Sequence, residues 1–305
     1  MTDKPISPDF PYESKFLDVL GSKIHYIDEG EGETILFIHG NPTCNYLWRN
    51  VIPHLSGQAR CIAPDLIGMG KSDKPDIRYG FFDSYRYLSS FIDQLQLKNV
   101  TLVLHDWGSG LGFHYANENR DNIRAMAFME SLHDMPSIKD LPTPVRIATA
   151  LIRNPVVGKF FVGNLNLLLK KVMPQLINRD LTEAEQAVYS APYETVKSRK
   201  PLWVWPQDAP LDPTKRTPVR EAFEAWREWL PSCDIPKLCL YATPGSAIQE
   251  KDAEKIRETF SNTKVVNVGE GQHHIQEDCP HEIGEALAKW YGSTVSNPVT
   301  NYATT

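Results

Sequence analysis

Val100–Gly112, VTLVLHDWGSGLG, restricts what this chain can fold into more than any other stretch. Val100–Leu104 reads as a buried parallel strand, and the small residues from Gly108 to Gly112 suit a helix starting close behind a tight turn. Asp106 stands between them, where a strand-to-helix elbow lifts one side chain above a sheet. Such elbows are usually written around a serine with a glycine two residues away on either side. Here Gly108 supplies one and Leu104 replaces the other. The competing reading of Asp106 is a cap for the following helix.

The flanking chain repeats the strand-and-helix rhythm. Behind a Pro-rich arm over residues 1–14, Lys15–Leu20 and Lys23–Asp28, split by Gly21-Ser22, read as an antiparallel hairpin. Thr34–His39 reads as a central strand covered on both faces. It runs into His39-Gly40-Asn41-Pro42, a turn on the edge where open parallel sheets bind ligands. Cys61–Asp65, Ile123–Met129, Lys237–Ala242 and Lys264–Val268 are further strands, and helices are expected over Phe82–Leu97, Ser109–Asn119, Glu250–Phe260 and His281–Tyr291. The alternation predicts an α/β fold with a mostly parallel central sheet flanked by helices. From about His133 to Pro213 it stops, giving way to prolines, helical apolar spacing and a capping box at Thr182 and Glu185. The prediction is a helical cap over 133–213, inserted after the sixth strand, on a core made of 1–132 and 214–305. Thr217-Pro218 then opens an amphipathic helix, and the polar tail 293–305 is expected to be disordered.

Composition excludes several classes. With 305 residues and a net charge of −6, the chain offers no electrostatic footprint for nucleic acid. It has no apolar run approaching the roughly eighteen residues of a membrane span, and MTDKPISPDFPY lacks the pattern of an export signal. A cytoplasmic enzyme, monomeric or homodimeric, is expected. Cys44, Cys61, Cys233, Cys239 and Cys279 are odd in number and scattered, so free thiols are expected rather than disulfides or a zinc site.

Hydrolases built on such an elbow carry nucleophile, acid and histidine in that chain order, at the C-terminal ends of strands. Asp106, Glu130 and His273 obey it. The loop Thr243–Ala247, where the acid often stands, contains no carboxylate, which selects Glu130 at the end of the preceding strand. Asp134, close by, ranks lower by position alone. In Gly269–Ile275, GEGQHHI, His273 comes as the loop leaves the strand while His274 begins the stretch into Ile275, and adjacent side chains point to different sides. His273 is the expected base. His39 and His105 are expected to hold turns, and His54, His114, His133, His274 and His281 to be structural or exposed.

With these residues, HGNPT at 39–43, LWRNVIPHL at 47–55, PDLIGMGKSDKP at 64–75, HDWGS at 105–109, AFMES at 127–131 and QEDCP at 276–280 carry a close resemblance. From Ile35 to Trp290 the chain resembles the haloalkane dehalogenases, α/β-hydrolases that release halide from haloalkanes. The resemblance implies Asp106 as nucleophile, His273 as base and Glu130 as its partner, the arrangement of one subgroup. It implies Asn41 and Trp107 as halide-binding residues and Pro210 as a neighbour of the same pocket. Leu104 fits, because the family elbow also carries a larger residue there. Cap residues such as Leu168, Val172 and Leu176 are expected to shape the substrate pocket.

The chemistry stands without the name. A carboxylate is ionised at neutral pH, so it displaces a leaving group at an sp³ carbon without a base to activate it. The halide needs donors, which the Trp107 indole and the Asn41 amide can supply, and His273 then deprotonates water to hydrolyse the ester. Backbone N–H groups of Asn41 and Trp107 are expected to stabilise that oxyanion. The implied partners are a haloalkane and halide, and neither metal nor organic cofactor is implied. Epoxide hydrolases share the Asp elbow but need cap tyrosines, for which Tyr189 and Tyr193 are candidates. Coelenterazine-using luciferases share the scaffold and matching site residues, so halide release and light emission discriminate between the readings. A non-enzymatic binding role on this scaffold typically loses part of the triad, which is complete here.

Overall fold

The computed structural model describes residues 4–296 apart from 136 and 142. Eight strands form one sheet: β1 Lys15–Val19, β2 Ser22–Glu29, β3 Thr34–Ile38, β4 Arg60–Pro64, β5 Val100–Asp106, β6 Ile123–Ser131, β7 Lys237–Pro244 and β8 Thr263–Gly271. Their spatial order is β1-β2-β4-β3-β5-β6-β7-β8. The β1–β2 and β2–β4 pairs are antiparallel and every later pair is parallel. β5 lies mid-sheet and is buried at all seven positions, as a strand covered on both faces must be. Its alternation divides the core in two: Leu102 and Leu104 join Leu36 and Ile38 on one side, and Val103 joins Ile35 and Phe37 on the other.

Helix α1, Phe81–Gln94, buries Leu88, Phe91 and Ile92 on one face. It stops short of the expected Leu97 because Gln96 takes a positive φ, 53°, which a helix cannot continue through. Helix α2, Trp107–Glu118, starts directly behind Asp106, two residues before the expected Ser109. A methyl group added at its Gly112 would lie 2.3 Å from Leu104 Cδ2. The missing elbow glycine and the extra helix glycine are therefore one feature, a large strand residue accommodated by a bare helix position.

The insertion after β6, the sixth strand, is helical: α3 Thr143–Arg153, α4 Pro155–Gly158, α5 Glu183–Ser190 and α6 Lys200–Asp208, with π- and 3₁₀-turns over Lys159–Asn164 and Leu168–Leu176. The capping box forms, the Thr182 hydroxyl accepting the Glu185 N–H at 3.3 Å and the Glu185 carboxylate accepting the Thr182 N–H at 2.8 Å. Thr217 caps α7, Pro218–Ser232, which packs on α2. α8 Glu250–Thr259, the short α9 Ile275–Asp278 and α10 Pro280–Trp290 complete the core. A helical turn over Tyr291–Ser296 takes in the start of the tail expected to be disordered, whose remainder, 297–305, lies outside the described residues. All five cysteines are buried and free. No helix among the described residues is long and apolar enough to cross a membrane.

Candidate active site

Two strained carboxylate positions mark the C-terminal edge of the sheet. Asp106, the last residue of β5, has φ 50°, and Glu130, near the end of β6, has φ 44°. Positive φ at a non-glycine residue costs on the order of 1–3 kcal/mol and persists where surrounding contacts enforce it. Asp106 occupies the N-cap position of α2, yet its side chain makes no capping bond, so the cap reading does not hold. Its Oδ1 accepts the Asn41 backbone N–H at 2.7 Å, and its Oδ2 faces His273 Nε2 at 3.2 Å. Gly40 permits this approach, since a Cβ there would fall 2.1 Å from Asp106 Oδ1. The Ser109 hydroxyl donates to the Asp106 carbonyl and accepts the Leu132 N–H at 2.7 Å, tying the elbow to the chain leaving β6.

Glu130 is fully buried and reaches His273 Nδ1 at 3.1 Å. The loop after β7, which lacks a carboxylate, points its backbone at one: the N–H groups of Ser246, Ala247 and Ile248 donate to Glu130 at 3.2, 2.6 and 3.3 Å. Asp134 instead pairs with Arg227 at 2.8 Å and Lys255 at 3.3 Å, near the surface. His274 is fully buried, its ring centroid 5.0 Å from that of His273 and 5.5 Å from that of His105, and neither of its ring nitrogens has a hydrogen-bond partner. His39 and His105 do hold turns. His39 Nδ1–H donates to the Gly40 carbonyl while its Nε2 accepts the Leu66 N–H, and His105 Nε2–H donates to the His273 carbonyl at 2.8 Å.

The electrostatics follow from this geometry. Burial alone would push the His273 pKa down, but its hydrogen bonds and charge interactions with Asp106 and Glu130 outweigh burial and raise it to about 10. Burial pushes the Asp106 carboxyl up, but the His273 bond and charge, aided by the Trp107 backbone N–H, hold it below the ordinary carboxylate range. The resting site is an imidazolium between two carboxylates. Asp106 is therefore charged before any substrate arrives.

The amide of Asn41 donates from Nδ2 to the Leu202 carbonyl at 3.2 Å, and its buried Oδ1 has no partner. The Trp107 ring stands edge-on to Trp205, centroids 5.3 Å apart. Leu202 and Trp205 both belong to α6, so one cap helix steadies both of the residues expected to hold halide. Pro210, Leu168 and Val172 are half-buried and none hydrogen-bonds to the triad. The Pro210 carbonyl accepts Arg220 Nη1, and Leu168 packs on the core. Leu176 is brought to the site through its main chain, its carbonyl accepting the N–H groups of His273 and His274 at 3.1 and 3.0 Å. Tyr189 donates to Glu277, and the buried Tyr193 hydroxyl has no partner, so neither tyrosine bonds to Asp106.

Behind the His273 loop lies a charge cluster that sequence reasoning missed. Arg49 donates to Glu277 at 2.6 and 2.8 Å and to Glu185 at 2.6 Å, while Arg179 donates to Glu185 at 2.6 and 3.0 Å and also to Glu277. Asp278 adds to it by accepting the N–H groups of Asn178 and Arg179 at 2.8 and 3.1 Å. The cap segment from Leu176 to Glu185 is thus stitched to the loop that presents His273. The ring nitrogens of His105, His273 and His274 lie within 4.8 Å of one another, close enough to share a metal ion, but both nitrogens of His273 face carboxylates and His105 Nε2 faces a carbonyl. His105 Nδ1 and both nitrogens of His274 have no hydrogen-bond partner.

Residues 33–280 match the family model described as alpha/beta hydrolase fold. A haloalkane dehalogenase of Mesorhizobium japonicum is 38% identical over 92% of this chain and 91% of its own length. One from Sphingobium indicum is 40% identical over 90% of this chain and 94% of its own. The crystal structure of the haloalkane dehalogenase DbeA from Bradyrhizobium elkani superposes with a TM-score of 0.88 at 36% identity, over 92% of this chain and 97% of that one. Fold, elbow and relatives agree that the chain belongs to the α/β-hydrolase fold family and, within it, to the haloalkane dehalogenases.

Proposed function

We propose that this enzyme hydrolyses carbon–halogen bonds of haloalkanes, with Asp106 as nucleophile, His273 as base, Glu130 as its acidic partner, and Asn41 and Trp107 holding the halide. The observation that carries the reading is the divided environment of Asp106: Oδ1 on the Asn41 N–H, Oδ2 on His273 Nε2. Oδ2 attacks the carbon bearing halogen, the C–O bond forms, and halide leaves with the C–X electron pair toward the Trp107 indole and the Asn41 amide. Esterification removes the negative charge of Asp106, and with it part of what raises the His273 pKa. His273 then gives up its proton more readily and becomes a base when one is needed. Water, deprotonated at Nε2, attacks the ester carbonyl carbon, and Oδ1 carries the oxyanion against the backbone N–H groups of Asn41 and Trp107. Alcohol, halide and a proton leave. The helical segment 133–213 acts as the domain that closes over this edge, and Pro210, Leu168, Val172 and Leu176 line the pocket beneath it.

The purified protein is expected to release bromide from 1,2-dibromoethane, and Asp106→Ala to abolish release. His273→Phe should leave an alkyl ester on Asp106, read as a mass increase. Silence across chloro-, bromo- and iodoalkanes, with light from coelenterazine, overturns the assignment.

A further inference from the structure

Away from Asp106, a second hydrogen-bonded chain links a hydroxyl, an imidazole and a carboxylate. Asp65, directly after β4, is 1% exposed and accepts backbone N–H groups from Asn45 at 2.7 Å and Lys71 at 2.8 Å. Its Oδ2 lies 2.7 Å from Nδ1 of His25, a fully buried residue of β2 whose Nδ1 is also 3.3 Å from the Asn45 amide. On the outer side of the ring, His25 Nε2 lies 3.0 Å from the hydroxyl of Ser14, the residue before β1. Ser14 is exposed, and Lys71 Nζ donates to its Oγ at 3.1 Å.

The shorter contact on Nδ1 sets the tautomer: the Asp65 carboxylate takes its hydrogen at 2.7 Å, while the Asn45 amide, itself a donor at 3.3 Å, gives its own hydrogen to the Ala63 carbonyl at 3.2 Å. Asp65 holds the Nδ1–H tautomer, which leaves the Nε2 lone pair aimed at Ser14. The Lys71 ammonium occupies a lone pair of Oγ, so the hydroxyl's own hydrogen goes to His25, and the adjacent positive charge favours the alkoxide. The base is buried behind Ser14, whose hydroxyl stays open to solvent and to the water that a second step needs. Two aromatic rings border it: Phe16, half-exposed, with its centroid 5.2 Å from the His25 ring, and Phe10, 5.9 Å beneath Lys71 Nζ. Asp65 and His25 also anchor the turn after β4, but anchoring makes no use of an exposed hydroxyl held between a base and a cation.

We propose that Ser14, His25 and Asp65 form a second nucleophilic centre, independent of Asp106, that takes acyl groups from small aryl esters. Ser14 Oγ bonds to the acyl carbon as its proton passes to His25 Nε2, and Lys71 stabilises the developing oxyanion. The carbon–aryloxide bond breaks and the aryloxide leaves with the proton from His25. Water, deprotonated by His25, then displaces Ser14 and releases the carboxylic acid.

The test uses the full chain with p-nitrophenyl acetate and, separately, a fluorophosphonate that labels activated serines. Peptide mass spectrometry is expected to find Ser14 labelled at least tenfold faster than any other serine. Ser14→Ala, a change at an exposed position, removes the label and the nitrophenolate burst while bromide release from 1,2-dibromoethane stays the same. Lys71→Met, also at the surface, slows labelling about tenfold. Labelling of Ser14 no faster than of other serines, or an unchanged burst in Ser14→Ala, overturns the proposal.

Discussion

Glu130→Gln isolates what the buried carboxylate does for His273. The side chain keeps its shape but loses its charge, and one of its oxygens becomes an NH₂ group. Glu130 receives four donors, the N–H groups of Ser246, Ala247 and Ile248 and the Nδ1–H of His273. An amide NH₂ placed among them opposes donor to donor and leaves at least one buried N–H without an acceptor, at a cost of about 1–3 kcal/mol. With an unfolding entropy of about 2.1 cal/mol/K per residue over 305 residues, each kcal/mol lowers Tm by about 1.6 °C, so a fall of about 2–5 °C is expected. The chemical effect is asymmetric. In the proposed mechanism, displacement of halide uses only Asp106, already ionised, and should change little. Ester hydrolysis passes through an imidazolium whose charge-assisted hydrogen bond is worth about 1.5–3 kcal/mol, so this step should slow about 10- to 150-fold. Rapid-quench mass spectrometry during turnover of 1,2-dibromoethane should therefore catch more ester on Asp106 in the variant than in the parent protein. Equal slowing of both steps, or no trapped ester, would refute the division of labour.

Two further outcomes follow from the charged clusters. Glu277→Gln leaves Arg49 and Arg179 facing Glu185 alone, and breaking one side of a buried ion pair costs about 3–5 kcal/mol, so calorimetry should show Tm lower by about 5–8 °C. An unchanged Tm would mean that the cluster does not clamp cap to core. The His273 pKa is raised by folding to about 10, so its contribution to stability is complete below its unfolded value of about 6.5 and is lost as pH rises toward 10. The Tm advantage of the parent protein over His273→Gln should shrink across that window, and an advantage that stays flat would contradict the raised pKa.

Much of the fold was legible because a two-sided parallel sheet demands apolar strands, and β3, β5 and β6 read that way directly. Boundaries moved where local backbone decided them, as at Gln96, whose left-handed φ ends α1 early. In the site, Asp106, Glu130 and His273 come together as chain order predicts, because each ends or follows a strand on one edge. What pattern could not reveal was main-chain work. The N–H groups of residues 246–248 carry no side-chain signature, nor does the Leu176 carbonyl, and the Arg49 cluster joins residues separated by more than a hundred positions. The approach of α6 to the elbow rests on Trp205 against Trp107 and on the Leu202 carbonyl, neither of which the spacing in KPLWVWPQD marks.

The carbonyl of Leu176 bears on how these enzymes can be recombined. Because it receives the N–H groups of both His273 and His274, the part of the insertion that ends at Glu185 is structurally a portion of the loop that presents His273. A chimera that imports a foreign lid should therefore splice within the segment ahead of Leu168 and retain residues 176–185 from this parent. A graft that takes the whole insertion exchanges the support of the base along with the roof, and its altered turnover would be misread as a change in substrate preference.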